Sequence, residues 1–306
     1  VNAPPSYPVK AWIALGAVCI IWGTTYLANK VGVTAVPPLL FSGVRQLLAG
    51  GLILGWFILR RQVPWTDRGY LRFQSWLGFL LLTIGNGVGL VALTYMDSGI
   101  ASLLSATTPI LIVLFNLMLR SEDRLAGRGW AGILLGMAGV AYLSWDGTRS
   151  DPSRGYLWGL GFLLLALMGW AYGSVISKTR QWTYPVILSA GIQMLSGGLI
   201  TLLLSLPLED PREAVISPAL IGSLIYLVLF GSLVAYSAYL YALSKLPATI
   251  VSLYAYINPL LALVAGWAFL DERLNHRVGV AALLILGGVW LVNDDFLRKR
   301  RRVRIP

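Results

Sequence analysis

The chain is 306 residues long, 57% hydrophobic and only 12% charged, with a formal net charge of +11. A soluble domain carries about 25% charged residues, so this composition excludes a water-soluble globule and points to an all-α integral membrane protein; the alternating strands of a membrane β-barrel are not visible. One cysteine, Cys19, and one histidine, His276, exclude an intrachain disulfide and a Cys/His metal cluster, so neither metal nor cofactor is expected.

Apolar runs long enough to cross a hydrocarbon core of about 30 Å recur at 11–29, 38–59, 73–95, 99–119, 126–145, 156–177, 184–206, 218–244, 247–270 and 276–296. The first opens after Lys10 and lacks a clear cleavage pattern, so it reads as a retained span rather than a signal peptide. It carries WGTTY at 22–26, and the second carries Arg45, the one ionisable residue well inside a span. The third holds Asn86 within GNGVG at 85–89, and the fourth holds Thr107, Thr108 and Pro109. A polar, turn-rich loop, DGTRSDPSRG at 146–155, separates the first five spans from the rest. Trp170 and Ser174 fall in the sixth span, Tyr236 and Tyr239 in the eighth, and Tyr254, Asn258 and Pro259 in the ninth. The basic tail at 298–304 suits a juxtamembrane anchor on anionic lipid better than a nucleic-acid site.

The two halves repeat one another. Residues 42–53 read SGVRQLLAGGLI and residues 189–200 read SAGIQMLSGGLI, seven identities in twelve at an offset of 147. The match extends from 92–111 to 242–261, placing Pro109 on Pro259, and from 123–125 to 272–274. The chain therefore divides into a first repeat at 1–146, a linker at 147–155 and a second repeat at 156–306. Five spans per copy place the second copy upside down, giving ten transmembrane helices in two inverted five-helix repeats, a common plan of secondary transporters. With the N-terminus cytoplasmic, seventeen of the 24 basic residues fall on the cytoplasmic side and six on the other, which puts both termini inside. Most tryptophans lie near span ends, as an interfacial belt does. Gly51/Gly55 and Gly132/Gly136 have the spacing of close helix packing, and a homodimer through spans 5 and 10 would use such a face.

Polar residues far from span ends face a bundle interior or a water-filled cavity, so matched midplane residues are the candidates for solute binding. Trp22 matches Trp170, and one turn later Tyr26 matches Ser174. Facing tryptophans could sandwich an apolar or cationic solute or simply plug the core. Asn86 matches Tyr236, and Gly89 faces the place of Tyr239. The glycines around Asn86 either admit a neighbouring helix or leave room for solute, and its amide needs a partner. Pro109 and Pro259 free the carbonyls of Ser105 and Ala255 and kink their helices, as hinges or as static bends. Thr107, Tyr254 and Asn258 lie beside those kinks. Arg45 stands opposite Ile192 in the repeat; it either receives a substrate carboxylate or ties helices together.

WGTTY at 22–26, RQLLA at 45–49, the ASLL…TP stretch ending at Pro109, and YALSKLPAT at 241–249 leading to Asn258-Pro259 and LDERL at 270–274 resemble the EamA-type drug/metabolite transporter superfamily. The resemblance spans almost the whole chain. It implies ten helices, a small-molecule substrate, membrane lipid as surroundings and export across a bacterial inner membrane, with the YddG-type amino-acid exporters as the first comparison. One departure is Glu122-Asp123 at the end of the fourth span, where the family often has a single Glu. No Asp or Glu lies mid-membrane, which favours uniport or potential-driven transport over carboxylate-centred proton antiport. The expected function is a secondary transporter exporting amino acids or similar small metabolites by alternating access, not an enzyme; the alternatives are a flippase of lipid or lipid-linked sugar, or a carrier of nucleobases or drug-like cations.

Overall fold

A computed structural model describes residues 8–119, 127–144, 154–252, 254–270 and 276–302. These residues form helices α1 (Val9–Ala35), α2 (Pro38–Leu59), α3 (Arg68–Leu93), α4 (Ser98–Met118), α5 (Gly127–Ser144), α6 (Arg154–Ile176), α7 (Val186–Leu208), α8 (Pro218–Lys245), α9 (Tyr254–Leu270, preceded by the single turn Ala248–Val251) and α10 (His276–Arg302). Seven of them, α1–α4 and α6–α8, are long and apolar enough to cross a membrane. In α9 and α10 the apolar stretches are shorter, Ile257–Phe269 and His276–Gly288. Large apolar side chains such as Leu59, Leu134, Phe269 and Leu283 are exposed on many helices, which suits a lipid-facing surface better than a water-facing one.

Local chemistry explains the helix limits. Asp67 caps α3 by accepting from the Tyr70 backbone N–H at 2.9 Å, so the helix starts before its apolar run. Helix α1 continues past residue 29 because Lys30 is satisfied within the fold: its Nζ donates to the carbonyls of Leu93 and Met96 at 2.7 and 2.9 Å. Lys178 does the same at the end of α6, donating to Leu243 and Leu246 at 2.6 and 2.8 Å. Each lysine thus neutralises the carbonyl end of a helix, α3 or α8, where a cation is favoured. The N-terminus of α2 is closed from afar: both carboxylate oxygens of Glu209 accept, from the backbone N–H groups of Leu39 and Leu40, at 2.7 Å each.

The centre of the bundle is the contact of α2 with α7. The helices run antiparallel, with Gly43 against Leu202, Gly50 against Leu195 and Gly191 against Ile53. A Cβ on Gly50 would stand 2.5 Å from the Leu195 backbone nitrogen, and one on Gly198 would stand 2.8 Å from that of Leu47. The backbones touch because the side chains are absent. A second antiparallel pair, α5 and α10, is equally close: a Cβ on Gly288 would lie 2.5 Å from the Gly132 carbonyl oxygen. Gly132 and Gly136 thus serve packing within the chain, reinforced at the surface by Arg128 and Asp294 at 3.7 Å. Gly51 and Gly55 have open space around them.

Two helices change form midway. In both α3 and α8 ten residues adopt the wider π geometry, Phe79–Val88 and Leu227–Tyr236, at matched places in the repeat. Helix α4 is broken after Ser105 and resumes at Thr108, with Pro109 in its first turn. The carbonyl that Pro109 leaves free, that of Ser105, accepts from Thr108 Oγ1 at 2.6 Å, so the break is locally satisfied. Pro259 lies inside α9.

Replacing Gly50 with Val should lower the melting temperature of the purified protein in detergent, by an amount reflecting an overpacking cost of about 1–3 kcal/mol. Gly51→Ala, one residue away in open space, should leave it unchanged or slightly higher. Equal effects at the two positions would contradict the backbone contact.

Candidate functional site

The halves line a cavity of about 1010 Å³, its open end included. It reaches from the middle of the bundle toward the end where Leu93 lies. Helix α1 contributes Trp22, Tyr26 and Asn29; α2 contributes Arg45 and Gln46; α3 contributes Asn86 and Gly89. Ser102 and Ser105 of α4, Trp170 of α6, Ser232 and Tyr236 of α8, and Tyr254 and Asn258 of α9 complete the wall. Among the described residues no carboxylate lines it, and Arg45 carries the one formal charge of the wall.

The inner end is aromatic. Trp22 sits edge-on to Trp170, ring centroids 5.4 Å apart at 76°, and packs on Tyr239 and Tyr254 at 5.0 and 5.2 Å. The two tryptophans touch each other, so no solute lies sandwiched between them. Their exposed faces form one wall instead, worth about 0.5–2 kcal/mol per contact to a cation. The indole N–H of Trp22 donates to the Gly231 carbonyl at 3.2 Å, linking α1 to the π segment of α8. Gly85 makes room for Trp170: a Cβ there would stand 3.0 Å from the indole ring. The Asn258 amide, oriented so that its nitrogen donates to the carbonyls of Cys19 and Tyr254 at 3.0 and 3.1 Å, fixes α9 against α1.

Polar partners follow the repeat. Asn86 Oδ1 accepts from Ser42 Oγ at 3.2 Å and from Gln46 Nε2 at 3.4 Å. On the other half, Tyr236 donates to Gln193 Oε1, and Gln193 Nε2 donates to Gln74 Oε1 at 2.6 Å. Gln46 and Gln193 are the identical glutamines of the two repeat copies, so the Asn86/Tyr236 match acquires matched partners. Arg45 is 5% exposed; its Nη1 donates to Asn29 Oδ1 at 2.7 Å, its Nε is buried without a partner, and no carboxylate pairs with it among the described residues. Tyr26 sets its hydroxyl beside Ser105 and Ser102.

Three candidates lie off the cavity wall. Thr107 donates to the Leu104 carbonyl at 2.8 Å within the α4 break. Ser174 and Tyr239 are buried behind the tryptophans and bonded to each other at 2.6 Å, with Ser174 also donating to the Trp170 carbonyl. Beyond them is a second cleft, of about 1770 Å³ including its open end, lined by Gln74, Gln193, Lys178, Arg180 and Lys245. Tyr236 faces the cavity and Gln193 faces the cleft, so the septum between the two includes a layer one hydrogen bond thick. The residues that sequence reasoning left out are Asn29, Gln46, Gln74 and Gln193. The two repeat glutamines were identifiable because, with Ser42 and Ser189, they are the polar identities of the match. Glu122-Asp123, residues 271–274 and most of the 146–155 loop lie outside the described residues.

Residues 10–145 and 157–294 each match the EamA-like transporter family. The chain is 36% identical over 283 residues to an uncharacterized inner membrane transporter, YedA, of Escherichia coli strain K12, across 91% of this chain and 89% of the relative. It is 28% identical to the protein PecM of Dickeya dadantii strain 3937, across 92% of each. A solved crystal structure with 21% identity superposes with a TM-score of 0.67, covering 97% of this chain and 99% of that one, which shows a shared fold.

Tyr236→Phe removes the donor to Gln193 and leaves a buried amide oxygen unmet, a cost of about 1–3 kcal/mol. The expected result is a lower melting temperature in detergent; an unchanged one would mean that this bond is not part of the septum.

Proposed function

The chain belongs to the EamA-like transporter family, and from that premise we propose that it is a secondary transporter exporting amino acids or similar small metabolites across a bacterial inner membrane by alternating access. The septum carries this reading. A cavity on one side and a cleft on the other, divided by the Tyr236–Gln193–Gln74 chain, are the arrangement expected of a carrier held in one of its two states.

The wider architecture supports it. Antiparallel packing of the repeat-related pair α2 and α7, and of α5 and α10, fits a pseudo-twofold axis in the membrane plane and hence inverted halves, 1–146 and 156–306, joined by 147–155. Counting α5, α9 and α10 as spans gives five per half. The excess of basic residues on one side favours cytoplasmic termini, and the YedA relative is an inner membrane transporter. Trp22, Tyr26, Asn86, Trp170, Tyr236, Tyr254 and Asn258 form the solute wall. Ser174 and Tyr239 back it, and the break ahead of Pro109 with Thr107, together with Pro259 inside α9, allows one half to rock against the other. A wall without a carboxylate favours uniport driven by the solute gradient or the membrane potential.

Trp22→Ala and Tyr236→Ala should each lower amino-acid flux in proteoliposomes by about fivefold or more while the protein stays monodisperse. Unchanged flux in both would overturn the site. Flux should respond to an imposed membrane potential and be indifferent to a pH gradient at fixed potential; the reverse would overturn the energetic part of the reading.

A further inference from the structure

Within the cavity, two neighbouring side chains of α2 present opposite and unanswered hydrogen-bonding needs. Arg45 is 5% exposed and Gln46 is 1% exposed. Both line the cavity. Arg45 has a buried Nε with no acceptor, and Gln46 has a buried Oε1 with no donor. The other ends of both side chains are engaged, Arg45 Nη1 by Asn29 and Gln46 Nε2 by Asn86, which holds the two groups in place. A buried guanidinium without a counter-charge is costly, and so is a buried amide oxygen without a donor. The shared frame of the repeats does not require Arg45, because its repeat position is Ile192.

We propose that Arg45 and Gln46 form the subsite for the headgroup of an α-amino acid: Arg45 receives the carboxylate and Gln46 Oε1 accepts from the ammonium. The proposal rests on the carrier reading above and deepens it. A carboxylate meets a guanidinium through charge-assisted and often paired hydrogen bonds, and Arg45 supplies the charge that the cavity otherwise lacks. The ammonium group, adjacent to the carboxylate in any α-amino acid, falls to the neighbouring acceptor. The solute's side chain then lies along the Trp22, Trp170 and Tyr254 wall, which disfavours an anionic one. The asymmetry of the repeat follows: the headgroup needs one charged corner, and Arg45 supplies it from one half while Ile192 leaves the other neutral.

The test compares three probes for each of L-leucine, L-phenylalanine and L-threonine on the purified full chain: the free amino acid, its amide, and its N-acetyl derivative. Binding is read by calorimetry, with thermal shift as a second measure. At least one free amino acid should bind at millimolar concentration or below. Its amide, which lacks the carboxylate charge, and its N-acetyl form, which lacks the ammonium, should each bind about tenfold more weakly or worse. Arg45→Gln should erase the acid-over-amide preference, and Gln46→Leu the preference over the N-acetyl form. Arg45→Lys should retain part of the former. Derivatives that bind the wild-type chain as tightly as the parent would overturn the subsite while leaving the cavity as a solute site. Failure of every probe would overturn both the subsite and the amino-acid reading. The wild-type comparison decides these points even if a variant fails to fold.

Discussion

In hydrocarbon no water satisfies a stray polar group, so every polar atom of a spanning segment is either paired inside the protein or turned toward an aqueous cavity. The contact of α2 with α7 organises how this chain meets that constraint. Glycines at 43, 50, 191 and 198 bring two repeat-related helices together backbone to backbone. The polar residues between those glycines, Arg45, Gln46 and Gln193, are thereby carried to the centre of the bundle. From there Gln46 reaches Asn86 on α3 and Gln193 reaches Tyr236 on α8, each within a helix that has widened into π geometry. Such widening is common at functional sites, because the extra residue per turn re-aims the side chains that follow.

The halves obey one plan and fill it differently. Lys30 and Lys178 close the carbonyl ends of α3 and α8 in the same way, and the two antiparallel pairs use the same kind of glycine contact. Around the centre the symmetry is broken. Gly89 leaves space where its counterpart Tyr239 fills it, and Asn86 is small where Tyr236 is large. The cavity lies where the small residues are, and the buried Tyr239–Ser174 pair occupies the corresponding place in the other half. Arg45 against Ile192 adds charge to the same side. The asymmetry of the site is thus written in side-chain volume and charge on a symmetric frame.

Much of this frame was legible in the chain. The apolar runs located the helices closely: α2 falls on its expected limits, and the extensions of α1 and α3 trace to Lys30 and to the Asp67 cap. Helix α10 continues to Arg302, with no proline or glycine between Trp290 and that end. Seven of the ten binding candidates that the chain offered, Trp22, Tyr26, Asn86, Trp170, Tyr236, Tyr254 and Asn258, lie on the cavity wall. The other three failed to reach that wall for reasons of local bonding: Thr107 turns back to a carbonyl in its own helix, and Ser174 and Tyr239 bond each other behind the tryptophans.

The sequence by itself determined a helical membrane protein of two related halves, because hydrophobic run length and internal identity do not depend on how helices pack. It also marked Trp22, Asn86, Arg45 and Tyr236 as residues in need of an explanation, since polar and aromatic groups mid-span are costly without one. Only the tertiary structure decided which partners they take. The pairing of Arg45 with Asn29, the bond from Tyr236 to Gln193 and the contact of the two tryptophans join residues far apart in the chain, and their geometry follows from crossing helices. Periodicity encodes which face of a helix is apolar; it does not encode which neighbour that face meets or where the packing leaves a void.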